Sequence, residues 1–334
     1  VQLWRDFRDI DTGARGASVA IGVFDGIHRG HQLLLARAVA DAARLGTMSV
    51  MVTFSTHPVE VIKPGAAPEV LTPLERRAEL AGEYGIDAVF AIPFDREIAS
   101  WSPEEFFDRL LVDRLHATSV VVGSNFTFGF KAAGTAETLR ELAAARGIEC
   151  HVADLLPSAP GEADVVSSTA VRKALGRGEV GAAAQMLGRP HRVTGEVIHG
   201  LGRGGKELGY PTANLAADMV ECVPVDGVYA GWFTICDDGP AAGTMSTHTR
   251  YPAAISVGTN PTFDDVDRTV EAFVLDESGD LYGRRAAVEF VGYVRGMEKF
   301  SGVDELLEAM ARDVRTTREL LGTCHEETGI PPAS

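Results

Sequence analysis

Two histidines, His28 and His31, stand three residues apart around Gly30 in the segment GVFDGIHRGH, which runs from Gly22 to His31. Imidazoles at that spacing at the start of a helix can point the same way and donate hydrogen bonds to phosphoryl oxygens. Protonated, they would also offset charge that develops in a transition state. A helix start adds unpaired backbone N–H groups and partial positive charge. Gly22, Gly26 and Gly30 would let the backbone approach a ligand closely. Spacing alone leaves two other readings open, incidental loop residues and a metal site. Zinc is the weaker, because no third ligand is near in sequence and Arg29 opposes a cation.

Other clusters have similar chemistry. SSTAVR, from Ser167 to Arg172, places the hydroxyls of Ser167, Ser168 and Thr169 and the charge of Arg172 at another apparent helix start. These suit terminal phosphates, although Ser-Ser-Thr alone also reads as a helix cap. Gly200 to Gly209 is glycine-dense and carries Arg203 and Lys206 between Gly202, Gly204 and Gly209, with Pro211 beyond. Its amides and cations could cradle phosphates, or it could be an unliganded hairpin. It lacks the Gly-Lys-Ser/Thr ending of a Walker A loop. Thr212 and Asn214 offer hard oxygens that suit Mg²⁺. Glu271 interrupts an apolar strand pattern formed by Val270, Phe273 and Val274, as an edge-face residue or a functional one.

The elements that must hold these residues follow two rhythms. In the first half, strand-like runs at Ser18–Phe24, Met48–Phe54, Ala88–Ile92, Ser119–Gly123 and Cys150–Leu156 alternate with helical patterns. Those helices are expected at Gln32–Leu45, Pro73–Tyr84, Pro103–Arg114 and Ala136–Arg146, the third opening with a capping box from Ser102 to Glu105. Such alternation predicts a doubly wound, Rossmann-like parallel sheet, whose ligands sit beyond the strands' carboxyl ends. After about Leu187 come short strands between Gly, Pro and Asp turns: Val193–His199, Val228–Ile235, Ala253–Val257, Thr269–Leu275 and Ala287–Val291. They predict an antiparallel β-barrel or sandwich, with an exposed loop over Cys236–Tyr251. A terminal helix is expected with Leu306, Met310, Val314 and Leu321 on one face. The boundary falls near Gly188-Arg189-Pro190, giving domains over 1–186 and 187–334.

At 334 residues and 45% hydrophobic content the chain can bury two cores. A net charge of −16 argues against a nucleic-acid partner, so any polyanion must meet locally concentrated cations. No apolar run is long enough to span a membrane, and no signal peptide is recognisable. Cys150, Cys222, Cys236 and Cys324 form no CxxC pair, which fits a reducing cytoplasm.

The first segment resembles the HxGH signature of the nucleotidylyltransferases, and SSTAVR fits their second phosphate element. Nearly the full length resembles the prokaryotic bifunctional riboflavin kinase/FMN adenylyltransferases. The resemblance is carried by GVFDGIHRGH, VVGSNFTFG (Val121 to Gly129), SSTAVR, GRGGKELGYPTANL (Gly202 to Leu215), DGVYAG (Asp226 to Gly231), VGTNPTF (Val257 to Phe263), VEAFVLD (Val270 to Asp276) and RGMEKF (Arg295 to Phe300). It implies that riboflavin is phosphorylated to FMN in a C-terminal β-barrel kinase domain, and that FMN is adenylylated to FAD in the N-terminal domain. ATP would be co-substrate of both steps and Mg²⁺ the metal. It implies that Glu271 is the kinase's general base and that His28 and His31 stabilise the reacting phosphates. Gly22, Phe24, Asp25, Gly30, Ser167, Ser168, Thr169 and Arg172 would hold ATP in the first domain; Gly202, Arg203, Gly204, Lys206, Gly209 and Pro211 would do so in the second. Flavin would meet Asn125, Phe126 and Phe128 in the first domain and Arg295, Met297 and Phe300 in the second. Asn125 and Ser55-Thr56 stand where relatives often carry an acidic residue and proline. The rival readings are another adenylylating enzyme of the superfamily and a non-catalytic flavin binder; homo-oligomerisation is left open.

Overall fold

The computed structural model describes residues 1–158, 164–199, 212–216, 221–262 and 265–323, which fall into two compact units, Val1–Ala170 and Val171–Ser334. In the first unit the strands are β1 (Gln2–Trp4), β2 (Ala17–Ile21), β3 (Met48–Phe54), β4 (Ala88–Ile92), β5 (Ala117–Gly123), β6 (Thr127–Phe128), β7 (Gly134–Thr135) and β8 (Glu149–Ala153). The helices are α1 (Arg29–Leu45), α2 (Pro58–Ile62), α3 (Leu74–Glu83), α4 (Pro103–Phe106) and α5 (Ala136–Arg146), followed by α6 (Ser168–Leu175), which runs on across the division.

Six strands form one sheet in the order β1-β4-β3-β2-β5-β8, and every neighbouring pair is parallel. Val19 and Ile21 of β2 pack on one face with Phe107 and Leu110. Ala20 packs on the other with Leu35 and Ala38 of α1. A sheet covered on both faces needs strands apolar at every position, which is why β2 and β4 are buried throughout. The chain moves outward from β2 through β3 to β4, then returns to β5 on the other side of β2. That reversal makes the carboxyl ends of β2 and β5 the switch point where ligands of such sheets bind.

Several boundaries differ from expectation. The first predicted strand stops at Ile21, because Phe24 takes a positive φ of 52° that a ladder does not accept. The first helix begins at Arg29, one turn before the apolar periodicity starts. The capping box is formed, with Glu105 N–H donating to Ser102 Oγ and Ser102 N–H to Glu105 Oε2. The predicted Pro103–Arg114 helix keeps α geometry only to Phe106 and widens to a π-helix over Phe107–Val112, as Phe106, Phe107, Leu110 and Leu111 all enter the core.

The second unit contains α7 (Val180–Leu187), β9 (His191–Ile198), β10 (Ala213–Leu215), β11 (Gly227–Ile235), β12 (Arg250–Thr262), β13 (Asp265–Val274), β14 (Arg285–Arg295) and α8 (Val303–Leu321). The six strands close into a barrel in the order β10-β13-β12-β11-β14-β9, with β9 pairing back to β10. All its pairings are antiparallel. Val193, Val197, Ile255, Val257, Val270 and Ala272 are fully buried at alternate positions, as a filled barrel requires. Gly231 lies at a register shift where a Cβ would sit 2.1 Å from the Glu289 carbonyl, so no side chain is tolerated there.

Outside the barrel, α7 packs on β9 and β14, and α8 on β11, β12 and β14. The apolar alternation of β12 and β13 ends before their ladder does, so both strands run longer than predicted. On α8 the deepest residues are Ala309, Asp313 and Thr317, with Leu306, Met310, Val314 and Leu321 half-buried on their flanks. The helix turns a carboxylate inward because Arg295 forks onto Asp313 through two bonds of 2.8 Å.

Candidate active sites

The turn between β2 and α1 brings the first cluster together. His28 is the N-cap of α1: its Nδ1 accepts the backbone N–H of His31 at 3.3 Å. That bond leaves the proton of the neutral His28 ring on Nε2. The His28 and His31 rings stack at 3.6 Å, and the edge of Phe24 meets His31 at 5.0 Å. A side chain on Gly30 would press on the His28 ring at 3.2 Å, so this glycine sets the stack. Desolvation, then His28, then Arg77 hold the pKa of His31 well below the ordinary imidazole value. His31 therefore stands as a neutral donor at neutral pH, in place of one imidazolium of the pair that the spacing also allowed.

Asp25, expected at the phosphates, also braces the turn that carries the histidines. Its buried carboxylate accepts the N–H groups of Leu71 and Thr72 at 3.0 Å. Its carbonyl accepts Ser168 Oγ at 2.8 Å, which ties the second phosphate motif to the first. Ser167 Oγ accepts the N–H of Ala170 and so caps α6. Thr169 is exposed, and Arg172 lies one helical turn beyond Ser168. The sequence reading missed Arg77 of α3, which is only 7% exposed and reaches Val23, Thr53 and Thr72 beneath the turn. The available signal was its place on the buried face of α3 with Ala78, Leu80 and Ala81.

Beyond β5, Asn125 is exposed and Phe126 half-buried. The Phe126 and Phe128 rings stack at 5.5 Å. Phe128 packs in the core against Phe106, so Asn125 and Phe126 are the accessible members of this group.

On the barrel, Glu271 of β13 stands opposite Asn214 of β10 on one side and Ser256 of β12 on the other. Val270 and Ala272 fill the interior, so these three form a polar row on the outer face. Glu271 is half-buried, and burial raises its carboxyl pKa. The Asn214 amide lies 3.4 Å from both the carbonyl and Oγ1 of Thr212. Two hard-oxygen side chains this close, beside an acid, fit as neighbouring ligands of one small divalent ion. Gly202, Arg203, Gly204, Lys206, Gly209 and Pro211 lie outside the described residues. Met297 is exposed and lies against Gly258, opposite Thr269 on the same outer face. Arg295 forks onto Asp313, with its guanidinium 5.5 Å from the Phe300 ring. Among the described residues one His/Asp/Glu group has metal-ligand spacing, Asp41, Glu149 and His151. It does not include the histidine pair.

Comparison with known proteins agrees with this division. A family model described as FAD synthetase matches residues 11–170, and one described as riboflavin kinase matches residues 187–321. The bifunctional riboflavin kinase/FMN adenylyltransferase of Pseudomonas fluorescens is 36% identical over 96% of this chain and 98% of its own length. That of Listeria monocytogenes is 34% identical over 90% and 91%. A Streptococcus pneumoniae structure described as a macrolide-efflux protein matches with a TM-score of 0.81 and 30% identity, over 95% of this chain and 99% of that one. Among the described residues no helix is long and apolar enough to cross a membrane.

Proposed function

Because the chain belongs to the bifunctional riboflavin kinase/FMN adenylyltransferase family, we propose that its flavin-cofactor synthesis is divided between the outer face of the barrel and the β2–α1 turn. The protein phosphorylates riboflavin to FMN with ATP and adenylylates FMN to FAD with release of pyrophosphate. We take residues 1–186 as the adenylyltransferase and 187–334 as the kinase, with 171–186 in the first because they carry Arg172. The free thiols of Cys150 and Cys236 suit a cytoplasmic setting.

In the kinase, the ribityl hydroxyl attacks the γ-phosphorus of ATP, its proton passes to Glu271, and ADP leaves. Kinases and adenylyltransferases of these families need a divalent metal. We assign Mg²⁺, held by Thr212 and Asn214, which would neutralise charge on the transferred phosphoryl group. Gly202, Arg203, Gly204, Lys206, Gly209 and Pro211 are assigned to ATP. Met297, Phe300 and Arg295 are assigned to the flavin side.

In the adenylyltransferase, an oxygen of the FMN phosphate attacks the α-phosphorus of a second ATP and pyrophosphate leaves. His28 and His31 donate to the phosphoryl oxygens, and Gly22, Phe24, Gly30 and the N-terminus of α1 shape the cradle. Ser167, Ser168, Thr169 and Arg172 hold the departing pyrophosphate. Asn125 and Phe126 line the flavin approach, with Phe128 beneath them.

The observation that carries the kinase half of the reading is the cross-strand row of Asn214 and Glu271 beside Thr212. Incubation with riboflavin, ATP and Mg²⁺, with flavins separated over time, tests both halves. FMN should rise first and FAD follow, and a chelator should stop both. Unchanged riboflavin from folded protein would reject the kinase, and added FMN that stays unchanged would reject the adenylyltransferase.

A further inference from the structure

We propose that Arg77 is a positioning residue for adenylylation, a buried cation that holds the turn carrying His28 and His31 in its working form. The inference rests on the adenylyltransferase reading above.

Arg77 is a hub between segments far apart in sequence. Its Nη1 donates to the carbonyl of Val23 at 3.0 Å and to Thr53 Oγ1 at 2.9 Å. Its Nη2 donates to the carbonyl of Thr72 at 3.1 Å and lies 3.8 Å from Asp25 Oδ1. Thr53 Oγ1 donates in turn to the Val23 carbonyl at 2.7 Å. Asp25 grips the N–H groups of Leu71 and Thr72, next to the start of α3. The turn is thus clamped at Val23 by the end of β3 and by α3, and at Asp25 by the segment before α3.

What the clamp restrains is strained backbone. Phe24, between the two clamped residues, has φ 52°, and the β-branched Ile27 has φ 38°. L side chains rarely adopt such values, and they persist only where the surroundings over-determine them. Ile27 immediately precedes His28, so the direction of both imidazoles depends on this conformation.

A neutral side chain could fill the same space without desolvating a charge, and burial does lower the pKa of Arg77. Its Nε has no hydrogen-bond partner among the described residues. Asp25, at 3.8 Å, and Glu75 offset the charge only in part, since burial still outweighs them. A cation kept on these terms supplies positive potential to a site that takes a polyanion. It also disfavours a second positive charge on His31. Among the described residues, the groups that shift the titration of His31 are His28 from its own turn and Arg77 from α3.

The test uses the full chain with Arg77→Met, a neutral side chain of similar length, and Arg77→Lys, which keeps the charge. FMN-to-FAD kinetics are followed from about pH 5 to pH 9, with a thermal melt as the control for folding of the first unit and riboflavin phosphorylation by the same preparations as the control for the second. A misplaced catalytic group costs on the order of 100-fold, so Arg77→Met should lose about that factor in kcat, more than in KM for ATP. The acid side of its pH profile should also move to higher pH, because His31 protonates more readily without Arg77. Arg77→Lys should recover at least about tenfold of the lost rate and the wild-type acid limb. An Arg77→Met chain with wild-type kinetics would overturn the proposal. So would Met and Lys variants equally impaired with the wild-type pH profile, since that is packing without charge. Should Arg77→Met lack kinase activity and a cooperative melt, Asp25→Asn decides. It should lower kcat for FAD formation with kinase activity intact, and an unchanged kcat overturns the clamp. Wild-type protein unable to convert FMN would instead reject the adenylyltransferase reading itself.

Discussion

Burial raises the pKa of Glu271, so at neutral pH the folded chain holds a carboxylate that the unfolded chain solvates better. Because the folded-state pKa lies above the unfolded value, the folded state binds more protons. This contribution to stability is unfavourable above the folded pKa and vanishes below the unfolded value near 4.5. Glu271→Gln should therefore melt higher than the wild type at pH 7 and no higher at about pH 4. Removing the base should slow FMN formation by about 100-fold or more, while conversion of added FMN to FAD continues. His28 has two jobs that substitution can separate. Alanine removes both the phosphate donor and the helix cap, and loss of a cap costs about 1 kcal/mol. Asparagine restores a cap acceptor but not the imidazole. His28→Ala should therefore lower both the melting temperature and FAD formation, and His28→Asn should restore the first without the second.

Elements with a long apolar rhythm were legible in the sequence, because their burial repeats often enough to leave a pattern. The parallel strands at Met48–Phe54 and Ala88–Ile92 match their predicted bounds, since both faces of the sheet are covered. The segments β1, β6, β7 and β10, of two or three residues each, were too short to show a period. The histidine pair was visible as a motif. Its support by Arg77 was not, because the guanidinium reaches segments 5 to 54 positions away in sequence. On α8 the apolar stripe was found but not its centre, since Asp313 is buried only by virtue of Arg295. This bears on the role of Arg295. Breaking a buried ion pair from one side costs about 3 kcal/mol, because the remaining charge is stranded. Arg295→Met should destabilise the barrel unit by roughly that amount in denaturant titrations, and Asp313→Leu in the same chain should restore most of it. A residue that only touches flavin would raise KM for riboflavin and leave the unfolding midpoint alone.

At the scale of the whole molecule, α6 is where the two activities meet in sequence. Its first residues join the adenylylation turn through Ser168 and Asp25, and its last residue, Leu175, accepts the N–H of Val225 in the barrel unit. A cut at 170 would divide the SSTAVR motif, so a chain ending there should lose FAD formation, whereas one ending at 186 keeps Arg172. The barrel would feel the second cut, because α7 packs on β9 and β14. Intact chains with single-site lesions therefore test the division of labour more cleanly. Apart from the shared helix, every residue assigned to the kinase lies in one unit and every residue assigned to adenylylation lies in the other, and FMN is the only species that must pass between them. A chain carrying Glu271→Gln should make FAD from FMN but not from riboflavin. One carrying His28→Asn and His31→Ala should stop at FMN. Mixed, the two should turn riboflavin into FAD after a lag, with FMN detectable in solution during it and the lag shortening as the kinase-competent chain is increased. Chromatography of the mixture over time checks this directly. Riboflavin that is consumed with neither free FMN nor FAD appearing, while the first chain still adenylylates added FMN, would contradict passage through solution and point to transfer within a chain.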